Sequence, residues 1–151
     1  MNKYIEMAVN EARNGMLQGK GGPFGAVIVR DDQVISLACN EVLSTNDPTA
    51  HAEILAIRRA GEKLGTYDLS GCVIYATAEP CPMCLAAIIW ANIDKVYYAS
   101  SVEEAEKIGF RDSRIYRHMR GEERIIELEQ IDSEACVELY EAYRELGRTI
   151  Y

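Results

Sequence analysis

Residues 72–99 read CVIYATAEPCPMCLAAIIWANIDKVYYA, and this stretch decides the fold. Cys72 to Thr77 predicts a strand. Pro80 then opens a predicted helix over Cys81 to Ala91, because proline costs least in the first turn of a helix. Lys95 to Ala99 predicts the next strand. A strand, a helix and a second strand in succession indicate an α/β domain built in layers.

The rest of the chain continues this alternation. The other predicted strands are Gly25 to Arg30, Val34 to Cys39 and Arg124 to Gln130, which makes five in all. The other predicted helices cover Ile5 to Met16, Ala50 to Leu64 with Thr49 as cap, Val102 to Gly109 after a capping box, Asp112 to Met119, and Ser133 to Leu146. An Asp31-Asp32 turn joins the first two strands as a hairpin, so we expect a mixed five-stranded sheet.

Chain length and net charge limit the classes of function and partner that fit this protein. The 151 residues fit one domain, residues 1–151. We expect a cytoplasmic protein, because no signal peptide and no membrane-spanning run is visible. The net charge of −8 weighs against a nucleic-acid partner, since such binding draws on a basic face, and Arg111 to Arg120 is the only candidate. A small neutral substrate fits better.

Five cysteines, an odd number, favour burial or metal binding over disulfides in a reducing compartment. Cys39, Cys72 and Cys136 lie in apolar segments and are predicted to be core residues. Cys81 and Cys84 differ, because they are three residues apart at a predicted helix start and share one face.

Cys81, Cys84 and His51 together predict a zinc site. The partial positive charge at a helix N-terminus favours thiolates, which bind metal. Three protein ligands leave a fourth position for water, as catalytic zinc sites do, and Glu53 could then move protons to and from that water. Residues two apart in a regular helix point about 200° apart, so His51 and Glu53 can share a site only in an irregular first turn.

Other interpretations of these residues remain open. The Cys-x-x-Cys pair alone could be a thioredoxin-like redox motif, and His51 alone could be a polar residue at a helix start. A structural zinc in a non-enzymatic interaction module would need a fourth protein ligand. His-x-Glu combined with Pro-Cys-x-x-Cys is, however, the signature of zinc deaminases.

The sequence resembles the cytidine deaminase-like superfamily and, within it, the bacterial guanine deaminases. The resemblance is carried by residues 21–29, 45–53, 79–91 and 109–116. It implies a three-layer α/β/α fold and bound Zn²⁺. It also implies a homodimer in which the C-terminal segment is exchanged between subunits.

The resemblance further implies hydrolytic deamination of guanine to xanthine and ammonia by a zinc-bound hydroxide, with a glutamate moving the protons. The implied zinc ligands are His51, Cys81 and Cys84; the implied catalytic residues are Glu53 and Asp112; the implied substrate-binding residues are Asn40, Phe24, Trp90 and Tyr151. Asp112 could instead cap a helix, and Glu79 is expected to brace the zinc site. Deamination of guanosine, of another amino-heterocycle or of a tRNA adenosine remains the alternative.

Overall fold

A computed structural model describes residues 1–151 and contains one four-stranded sheet with helices around it. The strands are β1 (Gly25–Arg30), β2 (Gln33–Cys39), β3 (Val73–Ala78) and β4 (Lys95–Ser100). The α-helices are α1 (Lys3–Leu17), α2 (Val42–Thr45), α3 (Ala52–Leu64), α4 (Pro82–Trp90), α5 (Val102–Lys107), α6 (Asp112–Met119) and α7 (Val137–Glu145), and a 3-10 helix covers Ser133–Cys136. None of the helices is both long and apolar enough to cross a membrane.

The sheet is mixed, as predicted, with strand order β2-β1-β3-β4. β1 pairs antiparallel with both β2 and β3, and β3 pairs parallel with β4. Asp31 and Asp32 turn the hairpin with φ of 50° and 60°. Positive φ at both central residues matches the right-handed twist of the strands, and aspartate tolerates that conformation better than most residues.

The core lies on both faces of the sheet, because alternate residues of a strand point to opposite sides. Ala26 and Ile28 of β1 face α3 and α4, whereas Val27 and Val29 face α1. A Cβ at Gly25 would lie 2.1 Å from the Ala8 carbonyl oxygen, so this glycine lets α1 lie directly on β1. The three-layer α/β/α arrangement is therefore confirmed.

The prediction of a fifth strand is wrong. Residues 124–130 form no strand and pair with none of the four, and every residue from 124 to 151 is exposed. A segment with alternating apolar residues forms a strand only if a neighbouring strand hydrogen-bonds its backbone and another surface buries its apolar face. A single copy of the chain offers this segment neither.

The predicted closing helix is present but unburied. It divides into the 3-10 helix and α7. Two residues of its predicted apolar face, Leu139 and Tyr140, are 63% and 69% exposed. Cys136, predicted to be a core residue, is exposed, whereas Cys39 and Cys72 are buried as predicted. An amphipathic pattern marks the face that needs covering, but it does not reveal what covers it.

The start of α3 differs from the prediction, whereas the start of α5 agrees with it. α3 begins at Ala52 rather than Ala50, and Thr49 does not cap it, because the Thr49 hydroxyl donates to Asp47 Oδ1 at 2.7 Å. The capping box at α5 is confirmed: Glu104 N–H donates to Ser101 Oγ, and Ser101 N–H donates to the Glu104 carboxylate.

Candidate active site

The N-termini of α3 and α4 meet and bring together His51, Glu53, Cys81 and Cys84. His51 is the N-cap residue of α3, with an extended backbone (φ −69°, ψ 154°), whereas Glu53 lies inside the first turn. The helical period therefore does not apply between them, and both side chains reach one site, as the sequence required. Cys81 is likewise the N-cap residue of α4, and its Sγ accepts a hydrogen bond from the Cys84 N–H at 3.5 Å.

His51, Cys81 and Cys84 have the geometry of a zinc site. The Nδ1 atom of His51 lies 3.6 Å from Cys81 Sγ and 3.5 Å from Cys84 Sγ. All three ligand atoms lie within 4.8 Å of one another. Zinc bonds of about 2.0–2.1 Å to nitrogen and 2.3 Å to sulfur, at tetrahedral angles, would separate these N and S atoms by about 3.6 Å. The residues therefore fit zinc, and three of them leave its fourth position open.

The two thiols are electronically unequal. The hydrogen bond from Cys84, together with His51, lowers the pKa of the Cys81 thiol to about 4 against the opposing effect of burial. The same shared proton, together with burial, raises the pKa of Cys84. One thiolate is thus present at neutral pH, and metal binding displaces the remaining proton, because zinc binds thiolates.

Glu53 is a buried carboxyl beside the ligands. It is 7% exposed, and its Oε2 accepts from the Cys84 thiol at 3.5 Å. Burial raises the pKa of Glu53 to about 7. A carboxyl group with a pKa near neutrality can both accept and donate a proton at physiological pH, which is the requirement for general acid–base catalysis.

One small cavity opens beside these groups, with a volume of about 40 Å³. Its lining contains most of the predicted site together with one residue that the sequence reasoning missed. The lining residues are Phe24, Asn40, His51, Glu53, Ala78, Glu79, Cys81, Phe110 and Asp112. Phe110 was missed although it lies two residues before Asp112, within the Gly109 to Tyr116 stretch.

Asn40 is fixed by its carbonyl oxygen. Oδ1 accepts from the N–H groups of Gly22 at 3.3 Å and Val42 at 3.1 Å. A Cβ at Gly21 would lie 2.0 Å from this oxygen, so the close approach requires glycine. Because both bonds use the oxygen, the amide NH₂ of Asn40 keeps its donors for a group in the cavity.

Asp112 and Glu79 reach the cavity from different elements. Asp112 is the first residue of α6, but the N-cap residue is Arg111, so the capping alternative does not describe it. Burial and the nearby Cys81 thiolate raise the pKa of Asp112, while His51 opposes them. Glu79 Oε2 accepts from the Val102 N–H at 3.3 Å, which ties the cavity wall to the start of α5.

Trp90 and Tyr151 lie elsewhere in the single chain. They contact each other with ring centroids 6.1 Å apart, in a groove of about 760 Å³ beside α3 and α4. Tyr67 completes this aromatic group, also 6.1 Å from Tyr151. Trp90 is 65% exposed and Tyr151 74%, and neither lines the cavity with Glu53.

One protein family and two individual proteins match the chain. Residues 1–100 match the cytidine and deoxycytidylate deaminase zinc-binding region. The guanine deaminase of Bacillus subtilis (strain 168) is 45% identical over 143 residues, which cover 93% of this chain and 92% of that protein. The tRNA-specific adenosine deaminase of Aquifex aeolicus (strain VF5) is 42% identical over 97 residues, which cover 64% of each chain.

The fold agrees over the whole length with a solved structure. An X-ray structure of guanine deaminase from Bacillus subtilis has a TM-score of 0.92 at 42% sequence identity, covering 100% of this chain and 99% of that chain. Similarity to this relative therefore includes the last third of the chain, beyond residue 100, where the zinc-binding region ends.

Proposed function

Because the chain belongs to the cytidine and deoxycytidylate deaminase family of zinc-binding proteins, we propose that it hydrolyses guanine to xanthine and ammonia. We also propose that residues 1–151 form a single deaminase domain. The observation that carries the proposal is the open three-ligand arrangement of His51, Cys81 and Cys84 beside the buried Glu53. The similarity to a guanine deaminase along nearly the whole chain supports guanine as the base.

His51, Cys81 and Cys84 hold the metal in this proposal. Zinc, when bound, supplies a Lewis acid that lowers the pKa of a coordinated water to about 7. The chain's own contribution is to keep both sulfur atoms and one imidazole nitrogen in place at two helix N-termini. A fourth protein ligand, which a structural site would need, is absent from the cluster.

Glu53 moves the protons. It carries one proton of the attacking water to the ring nitrogen N3 and helps deliver the other to the departing amine, which leaves as ammonia. Its burial beside Cys84 supports this role, because burial raises the pKa of Glu53 to about 7 and keeps both protonation states accessible. The products, xanthine and ammonia, account for all atoms of guanine and one water.

Asp112 is the second proton carrier in this scheme. It lines the same cavity and is half-buried, and its pKa is raised by burial. A carboxyl group there can relay the second water proton to the amine as it leaves.

Phe24 and Asn40 bind the base. Phe24 stacks on the purine face, a contact worth about 1–3 kcal/mol where aromatic side chains meet bases. Asn40 donates from its amide to an acceptor on the purine, because its oxygen already accepts two backbone N–H groups. A flat ring with an acceptor at its edge satisfies both residues.

We also propose a homodimer in which the C-terminal segment is exchanged. The exposed apolar side chains beyond residue 124, among them Leu128, Ile131 and Leu139, support a second copy as their cover. In that dimer Tyr151 contributes to the partner's pocket and Trp90 lines the pocket or the interface between subunits. Neither residue lines the cavity of its own chain.

Two features favour guanine over a tRNA adenosine. The similarity to a guanine deaminase covers 93% of this chain, whereas the similarity to a tRNA-specific adenosine deaminase covers 64%. Arg114 and Arg117 both pair with Glu123, and Arg120 pairs with Glu122, so the basic patch that a tRNA would need is largely neutralised.

Ammonia release by the zinc-loaded protein from guanine, guanosine, adenine, cytosine and cytidine tests the proposal. We expect release from guanine with xanthine as product. Glu53→Gln is the matched control, since it keeps the shape of the side chain and removes the ionisable group. Release only from guanosine would shift the substrate to the nucleoside, and release from none of them would contradict the proposal.

A further inference from the structure

Phe24 and Phe110 form an aromatic pair at the cavity wall. Their ring centroids are 4.6 Å apart and their planes make an angle of 79°, an edge-to-face contact. Both rings line the cavity that also contains Asn40 and Glu53. The pair joins the segment before β1 to the connection between α5 and α6, which are far apart in the sequence.

Gly22 lies next to both rings of this pair. A Cβ at Gly22 would lie 2.8 Å from Phe110 Cζ and 3.0 Å from Phe24 Cε2. Both distances are shorter than van der Waals contact, so the two rings already fill the space above the glycine. A side chain at residue 22 would therefore have to displace one ring or both.

The backbones under both rings are held by hydrogen bonds. Phe24 N–H donates to Gly22 O at 2.9 Å, and Phe24 O accepts from Asn40 N–H at 3.0 Å. Phe110 N–H donates to Ala105 O at 3.2 Å, after Gly109 with φ of 101°. With its backbone fixed, the plane of the Phe24 ring depends on what packs against the ring, and Phe110 is its aromatic partner.

We propose that Phe110 is a positioning residue that sets the plane of Phe24 for stacking on the substrate base. The inference rests on the proposed function, in which Phe24 stacks on guanine. Residue 110 lies beyond the zinc-binding region that ends at residue 100. The contact between Phe110 and Phe24 is therefore not contained in the region that the whole family shares. It acts on substrate affinity and leaves the proton transfers of Glu53 unchanged.

Steady-state kinetics with guanine on the zinc-loaded protein test this role. For Phe110→Leu we expect KM to rise about 2- to 13-fold, the range for losing one edge-to-face pair, while kcat changes less than about twofold. A general structural defect would lower kcat and zinc content as well, and both are measured in parallel.

Gly22→Ala supplies an independent approach from the other side of the pair. Its Cβ would displace the rings, so we expect KM to rise in the otherwise unmodified protein. In the Phe110→Leu background the same change should cost less, because the Phe110 Cζ atom it would meet is gone.

Three outcomes would overturn the inference: an unchanged KM for Phe110→Leu, a fall in kcat alone, or effects of the two changes on KM that simply multiply. If the unmodified protein released no ammonia from guanine, the proposed function itself would fail. That result is separate from all three.

Discussion

Replacing Asn40 by aspartate separates its scaffold role from its substrate role. Asn40 Oδ1 accepts from the N–H groups of Gly22 and Val42, and an aspartate oxygen accepts both equally well. The other half of the side chain changes from an NH₂ donor to a carboxylate oxygen. That oxygen would face a cavity already lined by Glu53 and Asp112.

The expected magnitudes follow from these contacts. Asn40→Asp keeps both backbone bonds, so at a pH low enough to protonate the new carboxyl group we expect the free energy of unfolding to change by less than about 1 kcal/mol. At neutral pH a charged carboxylate at this buried residue, facing Glu53 and Asp112, should lower it further. Asn40→Ala leaves two half-buried N–H groups without that partner. At the lower end of about 1–3 kcal/mol for each unpaired group, it should cost about 2 kcal/mol. The Tm would then fall by about 4–8 °C for a chain of this size.

Activity should fall in both variants, because neither presents the amide donor to the base. In Asn40→Asp the acceptor on the base meets a carboxylate instead of a donor, and leaving a buried acceptor unpaired costs about 1–3 kcal/mol. We therefore expect kcat/KM for guanine to fall about 10- to 100-fold, because each 1.4 kcal/mol is a factor of about ten. Calorimetry and ammonia release on the same zinc-loaded samples measure both quantities. An Asn40→Asp protein with unimpaired kcat/KM would refute the reasoning and leave Asn40 a scaffold residue only.

Three further variants test other parts of the molecule. Glu53→Gln should keep its zinc, measured by elemental analysis, while kcat falls at least about 10²-fold; normal turnover would remove Glu53 from the proton path. Cys84→Ser should lose both zinc and activity, and full zinc occupancy would show that Cys84 is not a ligand. Gly25→Ala places a Cβ 2.1 Å from the Ala8 carbonyl oxygen, so α1 must move. It should lower the free energy of unfolding by about 3 kcal/mol by denaturant titration, and unchanged stability would contradict the close contact of α1 with β1.

The candidate site was largely predictable because its signals are local. Proline at the start of α4 and the spacing of Cys81 and Cys84 fix two sulfur atoms within one helical turn. The position of His51 was harder to predict, since the helical period alone would exclude it from sharing a site with Glu53. The structure resolves this by placing His51 just outside the helix.

The errors have a different origin. Residues 124–130 carry the alternation of a strand, and the closing helix carries an amphipathic face, yet both are exposed. A local pattern specifies which side chains need burial, whereas the surface that buries them lies outside the pattern. Phe110 was missed for a similar reason, since its partner Phe24 is distant in sequence and nothing in the spacing connects them.

In the proposed dimer, the exposed apolar face of α7 and of the segment before it would make stability depend on protein concentration. If a second copy covers Leu139, Tyr140 and their neighbours, the free energy of unfolding includes the free energy of association. Each tenfold dilution then removes about 1.4 kcal/mol of stability from the assembled protein. Heat resistance becomes a property of expression level as well as of sequence, and a dilute sample unfolds at a lower temperature than a concentrated one.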